Sequence, residues 1–221
     1  MAMLISFTGW RFRIMTALLA SALSLIGSEA GLMVVHPQAS GTWVLEWRGN
    51  QYRCAVGRNG IAREGEKREG DGKTPSGTYA LRRPYFRPDK VDRARLPAAL
   101  KPIALTMSDG WCDAPGDPDY NRFVQLPFAA SHEDLWRKDD DLYDLIVPLG
   151  YNDDPVIPGL GSAIFMHVAR SNYGPTAGCV ALSKQDLLEV LSTVGTGCRV
   201  CITAESPYQG RIDPPTSTII P

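Results

Sequence analysis

Histidine is scarce in this chain of 221 residues, with three in all, and neither sign of charge prevails: 23 lysines and arginines stand against 24 aspartates and glutamates, a formal net charge of −1. A near-neutral chain has no basic excess to hold nucleic acid and no net field to steer a charged partner. It also lacks a long block of like charge, the mark of an interaction tail, and it lacks an internal repeat. The apolar run Ile14 to Ile26 falls short of the ~20 residues that span a bilayer comfortably. Nucleotide and metal patterns are incomplete as well. In Gly70-Asp71-Gly72-Lys73-Thr74 the first glycine of a phosphate loop would stand at position 67, which is lysine. Asp139-Asp140-Asp141 is followed by no EF-hand spacing and reads as a solvated acidic turn. Cys198 and Cys201 have no second Cys/His pair at zinc-ligand spacing, and a strand would turn their side chains to opposite faces. No metal is expected.

What is present points to one globular domain with short appendages: 44% of residues are hydrophobic, enough for a sizeable core. Residues 1–30 differ from the rest. Arg11 and Arg13 precede the apolar run, and Ser28-Glu29-Ala30 offers small residues two apart, the layout of a secretory signal cleaved after Ala30. An uncleaved membrane anchor and an upstream extension before a true start at Met33 are the alternatives. The first two readings place the protein in the periplasm or cell envelope, and the third in the cytoplasm. The body covers 31–205. Residues 206–221, with Pro207, Pro214, Pro215 and Pro221, form a Pro-rich tail.

The body reads as α+β and predominantly β, with few short helices. Met33-Val34-Val35 is a short apolar strand, and Thr42 to Trp47 alternates so that Trp43, Leu45 and Trp47 share one face as core. Arg48-Gly49-Asn50 turns that strand back into Tyr52 to Val56 as a hairpin. Residues 57–77 are a long loop rich in glycine and charge, which Pro75 and Gly77 end before a strand at Thr78 to Leu81. Prolines 84, 88, 97 and 102 exclude long helices from the middle, where Ile103 to Thr106, Phe123 to Leu126 and Leu142 to Val147 read as strands. Ser131-His132-Glu133-Asp134 has the form of a capping box opening a helical turn or two towards Trp136. A second capping box, Ser183 to Asp186, predicts a helix over Lys184 to Ser192 with Leu187, Leu188 and Leu191 on its inner face. Cys198 to Ile202 reads as a closing strand.

The chemistry concentrates in residues 163–182. An apolar run ends in His167, the chain turns through Ser171-Asn172-Tyr173-Gly174-Pro175, and Cys179 follows Gly178 directly. A thiol at its ordinary pKa of about 8.5 is only a few per cent thiolate at neutral pH, so an adjacent imidazole that takes the proton makes a nucleophile of it. Gly178 lets the backbone approach a substrate carbonyl, where nearby amides could hold an oxyanion. The bland alternative is a buried cysteine and a hydrogen-bonded histidine with no shared task. Five cysteines leave at least one unpaired even in an oxidising compartment, and Cys54 and Cys112 read as buried small residues or a disulfide.

Two stretches carry a family resemblance. His167 with Thr176-Ala177-Gly178-Cys179, and upstream Thr74-Pro75-Ser76-Gly77-Thr78-Tyr79, resemble the signature of the L,D-transpeptidase (YkuD-like) catalytic domain, in that order, within residues 34–203. The resemblance implies that fold and a cofactor-free acyl transfer on peptidoglycan stem peptides, donor and acceptor, by way of a thioester on Cys179. It implies His167 as base and then acid, Gly178 at the oxyanion and Thr176 orienting the loop or the substrate; Arg170, Tyr173 and Ala177, in the same turn, are the candidate substrate contacts. Hydrolysis of the same thioester, as a carboxypeptidase or amidase, and a non-enzymatic wall-binding role are the alternatives. Many members have an arginine two residues after the cysteine, where this chain has Ala181. Arg170, three residues after His167, is the nearest substitute in sequence for holding a carboxylate.

Overall fold

The computed structural model describes residues 31–207. The signal or anchor expected over 1–30 and nearly all of the tail expected over 206–221 lie outside them. Strand β1 (Leu32–Pro37) pairs antiparallel with β2 (Trp43–Trp47), and β2 with β3 (Asn50–Ala55). Arg48 (φ 50°) and Gly49 (φ 81°) form the two-residue loop of that hairpin, both in the left-handed region that matches the twist of the flanking strands. Trp47 is buried, and its indole N–H donates to Thr193 Oγ1 at 2.8 Å. The tryptophan is core, as the alternation predicts.

The chain continues through β4 (Ile61–Ala62), β5 (Thr74–Pro75), β6 (Gly77–Ala80) and β7 (Tyr85–Phe86), then two 3-10 turns at Arg93–Arg95 and Ala98–Leu100, then β8 (Ile103–Ala104) and β9 (Asp109–Cys112). After β10 (Phe123–Gln125), β11 (His132–Asp134) and β12 (Leu145–Pro148) come β13 (Phe165–Val168), β14 (Val180–Leu182), helix α1 (Lys184–Ser192) and β15 (Arg199–Ile202). Ten strands form one sheet in the order β6-β15-β1-β2-β3-β14-β13-β12-β7-β8. The pairs β1/β15, β13/β14 and β7/β8 are parallel. Beyond β6, Leu81 bridges Leu149 and the Arg82 N–H donates to the Pro148 carbonyl at 2.8 Å, so the sheet curls until the chain leaving one edge meets β12. This is the α+β, mostly β architecture expected.

The sheet separates two cores. On one face Met166, Val168, Val180 and Leu182 pack with Leu187, Leu188, Val190 and Leu191 of α1, which lies behind the cysteine as its periodicity predicts. On the other face Phe165 and Cys179 pack with Leu105, Leu135, Tyr143 and Ile146 beneath the small sheet β10-β9-β11. That small sheet corrects one expectation. Ser131 to Asp134 does not open a helix: His132, Glu133 and Asp134 pair with Cys112, Trp111 and Gly110. Pairing along β9 satisfies the backbone groups that a cap would have served only in part, and tertiary context overrides the local signal. Expected strands in the middle are also shorter than read, with Leu142 to Val147 becoming Leu145–Pro148 and Ile103 to Thr106 becoming Ile103–Ala104. The loop 57–77 is not structureless, since β4 and β5 pair in parallel within it. All five cysteines are free thiols.

The helix start is testable. Ser183 Oγ accepts the Asp186 N–H at 3.1 Å, and Ser183→Ala is expected to cost about 1 kcal/mol. Urea unfolding should show a lower midpoint at an unchanged slope, and an unmoved midpoint would mean the cap contributes nothing.

Candidate active site

The pleat of two neighbouring strands sets the site. β13 and β14 run parallel with Met166 beside Val180 and His167 beside Ala181. Alternation therefore sends Met166 and Val180 to the helix face, and Phe165, His167, Cys179 and Ala181 to the opposite face. Cys179 stands beside Phe165, whose backbone N–H points at Sγ at 3.4 Å, and the thiol donates to the Ala163 carbonyl at 3.2 Å. His167 lies one alternate position further along and is buried, its ring edge-on to Tyr143 at 5.6 Å.

Two threonines fix the backbone at Cys179. Thr176 Oγ1 donates to the Cys179 carbonyl at 2.7 Å and accepts the Gly178 N–H at 3.1 Å, closing the turn. Thr74 Oγ1 donates to the same carbonyl at 3.3 Å and accepts the Gly57 N–H at 2.8 Å. The two sequence motifs, about a hundred residues apart, thus meet on one oxygen. The approach is close enough to demand glycine twice. Gly178 has φ 150°, and a Cβ there would sit 2.9 Å from the Lys73 carbonyl oxygen. A Cβ on Gly57 would sit 2.4 Å from the Gly72 carbonyl oxygen. Because the Gly178 N–H is already given to Thr176, it is not free to receive an oxyanion in this conformation.

The site is electrically quiet. Burial pushes the Cys179 thiol up to about 12, only partly offset by the Phe165 N–H. Burial likewise pulls His167 down to about 4, against the hydrogen bond to the Val168 carbonyl. Nδ1 lies 2.8 Å from that carbonyl, which can only accept, so the proton sits on Nδ1 and Nε2 carries the lone pair. Among the described residues no hydrogen bond joins Sγ to the imidazole. At neutral pH this is a thiol and a neutral base on one face, not a preformed ion pair.

A cavity of about 220 Å³ opens over Cys179, lined also by Arg58, Lys67, Glu133, Tyr143 and Ala177. Lys67 is buried and paired with Asp71 at 2.7 Å, while Arg58 is exposed and its guanidinium makes no hydrogen bond or ion pair among the described residues. Burial raises the Glu133 carboxyl. The candidates taken from sequence divide here. Cys179, Gly178 and Ala177 line the cavity, and Thr176 supports it from below. Arg170 instead donates to the Pro175 carbonyl at 3.2 Å within its own turn, and Tyr173 stacks under Arg53 at 4.3 Å in a different hollow. Sequence reasoning passed over Arg58, Lys67 and Glu133. Only the glycine and charge of the long loop hinted at the first two, and Glu133 was hidden by the mistaken helix start.

The model of the YkuD family, the L,D-transpeptidase catalytic domain, matches residues 31–202. The chain belongs to this family. Two solved structures are distantly similar: an L,D-transpeptidase from Mycobacterium smegmatis, at 14% identity over 79% of this chain and 59% of that one with a TM-score of 0.36, and L,D-transpeptidase 1 of Mycobacterium tuberculosis, at 11% identity over 79% and 62% with a TM-score of 0.34. The chain spans about three fifths of the length of each. Comparison with curated proteins gave no match.

The quiet site makes a pH prediction. With the thiol pushed up to about 12, alkylation of Cys179 by iodoacetamide should climb roughly tenfold per pH unit between pH 7 and 9, following the thiolate fraction. A rate already flat at neutral pH would show instead that His167 holds Cys179 as a preformed thiolate.

Proposed function

We propose that the chain is a cysteine L,D-transpeptidase acting on peptidoglycan stem peptides. The observation that carries this reading is the setting of Cys179 within a domain of this family: a thiol on the floor of a cavity, its backbone clamped by Thr74 and Thr176, with a neutral histidine on the same sheet face. The sulfur attacks the carbonyl of an L-centred link in a donor tetrapeptide while its proton passes to His167 Nε2. The C–N bond breaks, and the same proton leaves on the departing D-alanine. An amine of a second stem then attacks the thioester; the new C–N bond forms, the C–S bond breaks, and the amine's proton restores the thiol by way of His167. A base with a depressed pKa stays unprotonated through the neutral range, but with the thiol pushed up to about 12 the transfer to it is uphill at rest and depends on bound substrate to stabilise the charge that develops. Its weak basicity makes it a good acid for the leaving amine. No cofactor enters this scheme.

Recognition of the donor's terminal carboxylate falls to Arg58 in this proposal. Ala181, where many members have arginine, is buried beside His167, so a cation must come from another element. Arg58 brings an unpaired guanidinium to the cavity from the loop that also delivers Thr74, and a guanidinium fork fits a carboxylate. The substrate lies outside the cytoplasm, and residues 1–30, read as a signal or anchor, would take the enzyme to the periplasm or cell envelope.

Intact-protein mass spectrometry after incubation with a tetrapeptide stem, or with a carbapenem, is the direct test. Wild type should gain the acyl mass; Cys179→Ser should not, and an adduct on that variant would remove Cys179 from the mechanism. His167→Ala should acylate far more slowly and recover in part at alkaline pH, where hydroxide ionises the thiol. For the carboxylate, Arg58→Ala should lower kcat/KM by roughly ten- to a hundredfold, the worth of a charged hydrogen bond. Arg170→Ala is the control, and a larger loss there would return the carboxylate to the position that sequence proximity suggests.

A further inference from the structure

The threonine clamp places the backbone of Cys179; two backbone groups at and just before the start of β13 receive its sulfur. One, the Phe165 N–H, belongs to the strand itself. The other, the Ala163 carbonyl, accepts the thiol hydrogen at 3.2 Å and stands on a residue with φ 51°, a left-handed conformation that is unfavourable for alanine and nearly free of cost for glycine. Something must hold it there. The Ala163 N–H donates to Asn121 Oδ1 at 3.0 Å, and Asn121 is buried in the loop between β9 and β10. Every hydrogen-bonding position of that amide is taken. Oδ1 also accepts the Trp111 indole N–H at 3.0 Å, and Nδ2 donates to the carbonyls of Asn152 at 2.7 Å and Tyr151 at 3.2 Å. Two donors meet the oxygen and two acceptors meet the nitrogen, so neither a turned amide nor an ionised aspartate, which has no hydrogen to give, fits these four partners. Asn121 itself has φ 56°, which asparagine tolerates better than most residues other than glycine. Its neighbour grips the same segment: the Tyr120 hydroxyl accepts the Gly161 N–H at 3.0 Å and donates to Glu69, which also holds Ser162.

We infer that Asn121 is a positioning residue for the reaction: by holding Ala163 in the left-handed conformation it aims the Ala163 carbonyl at Cys179 Sγ, and so fixes the direction from which the sulfur meets a bound peptide. Asn121 acts through residue 163 and not on the sulfur. The identity of the reaction rests on the transpeptidase reading; the placement of the thiol does not. Without the amide, Ala163 relaxes towards negative φ, its peptide group turns, and Sγ keeps one of its two backbone partners. A thiol free to turn about χ1 spends less time in the attacking geometry, and misplacing a reacting group by about 1 Å can cost on the order of a hundredfold. The freed thiol is at the same time easier to ionise, because a carbonyl that accepts S–H favours the protonated form. Loss of Asn121 therefore slows the reaction with a bound peptide and quickens the reaction with a small reagent.

The test is a double-mutant cycle on Asn121→Gly and Ala163→Gly, with acylation by a stem tetrapeptide followed by intact-protein mass spectrometry. Glycine adopts a left-handed φ without cost, so Asn121→Gly removes the amide and leaves its own backbone in place. In the wild-type background it should lower the maximal acylation rate roughly tenfold at an unchanged half-saturating peptide concentration. In an Ala163→Gly background it should cost no more than about threefold, since glycine holds the conformation unaided. A change confined to the half-saturating concentration, or an equal loss in both backgrounds, overturns the assignment. With iodoacetamide at pH 8, Asn121→Gly should alkylate at Cys179 roughly threefold faster or more, while Cys54 and Cys198, buried in the helix-side core, react as in wild type. An unchanged rate at Cys179 overturns the assignment, and so does a rise at all three thiols, the sign of a loosened fold. Should Asn121→Gly fail to fold, Ala163→Val takes its place. A β-branched residue is an outlier at φ 51°, so the same fall in the maximal acylation rate is expected with the amide intact, and no fall overturns the assignment. If wild type forms no acyl-enzyme, the transpeptidase reading fails, and alkylation alone decides the placement of the thiol.

Discussion

One carbonyl oxygen organises the candidate site. The backbone C=O of Cys179 accepts from Thr176, in its own turn, and from Thr74, which arrives from a loop about a hundred residues earlier. Both threonines are buried, so losing either partner would leave a polar group without solvent to replace it. That double acceptance pins the end of β14 to β5 and holds the loop carrying Arg58 and Lys67 over the thiol. Two glycines, Gly178 and Gly57, exist at these positions because the backbones approach too closely for a Cβ. The clamp is therefore steric and hydrogen-bonded at once, and the position of Sγ follows from it and not from the cysteine side chain itself.

The same closeness accounts for the electrostatics. A thiol and an imidazole packed under a small sheet lose water, and desolvation disfavours both charged forms. The thiol is driven up and the histidine down, so the pair is neutral at rest. Charge is kept at the margin instead, with Arg58 at the rim, Lys67 tied to Asp71, and Glu133 across the cavity beside Tyr143. Such an arrangement holds the thiol and the imidazole without ionisation, and in the proposed reaction charge would develop only when a substrate can spread it.

The cap over the site was the hardest part to foresee. β9, β10 and β11 are three or four residues each, too short for periodicity to speak, and Ser131 to Asp134 carries a helix-start pattern that local reasoning accepts. What makes it a strand is a partner, since Trp111 and Cys112 present backbone groups that His132 and Glu133 satisfy. Helix α1 is the opposite case. Its cap, its length and its apolar face are all local, and it runs over the residues that its sequence predicts.

The sequence by itself determined the features set by neighbours along the chain: the hairpin at Arg48-Gly49, the helix from Lys184, the alternation that puts His167 and Cys179 at strand positions, and two motifs that identify the family. Those depend on turn geometry, capping and a period of two, each readable within a few residues. Tertiary structure alone decided that the two motifs share an oxygen, that Arg58 and not Arg170 reaches the cavity, and that Tyr173 faces another hollow. It also decided the protonation of the pair, because a pKa depends on how much water the fold removes and no local pattern records that.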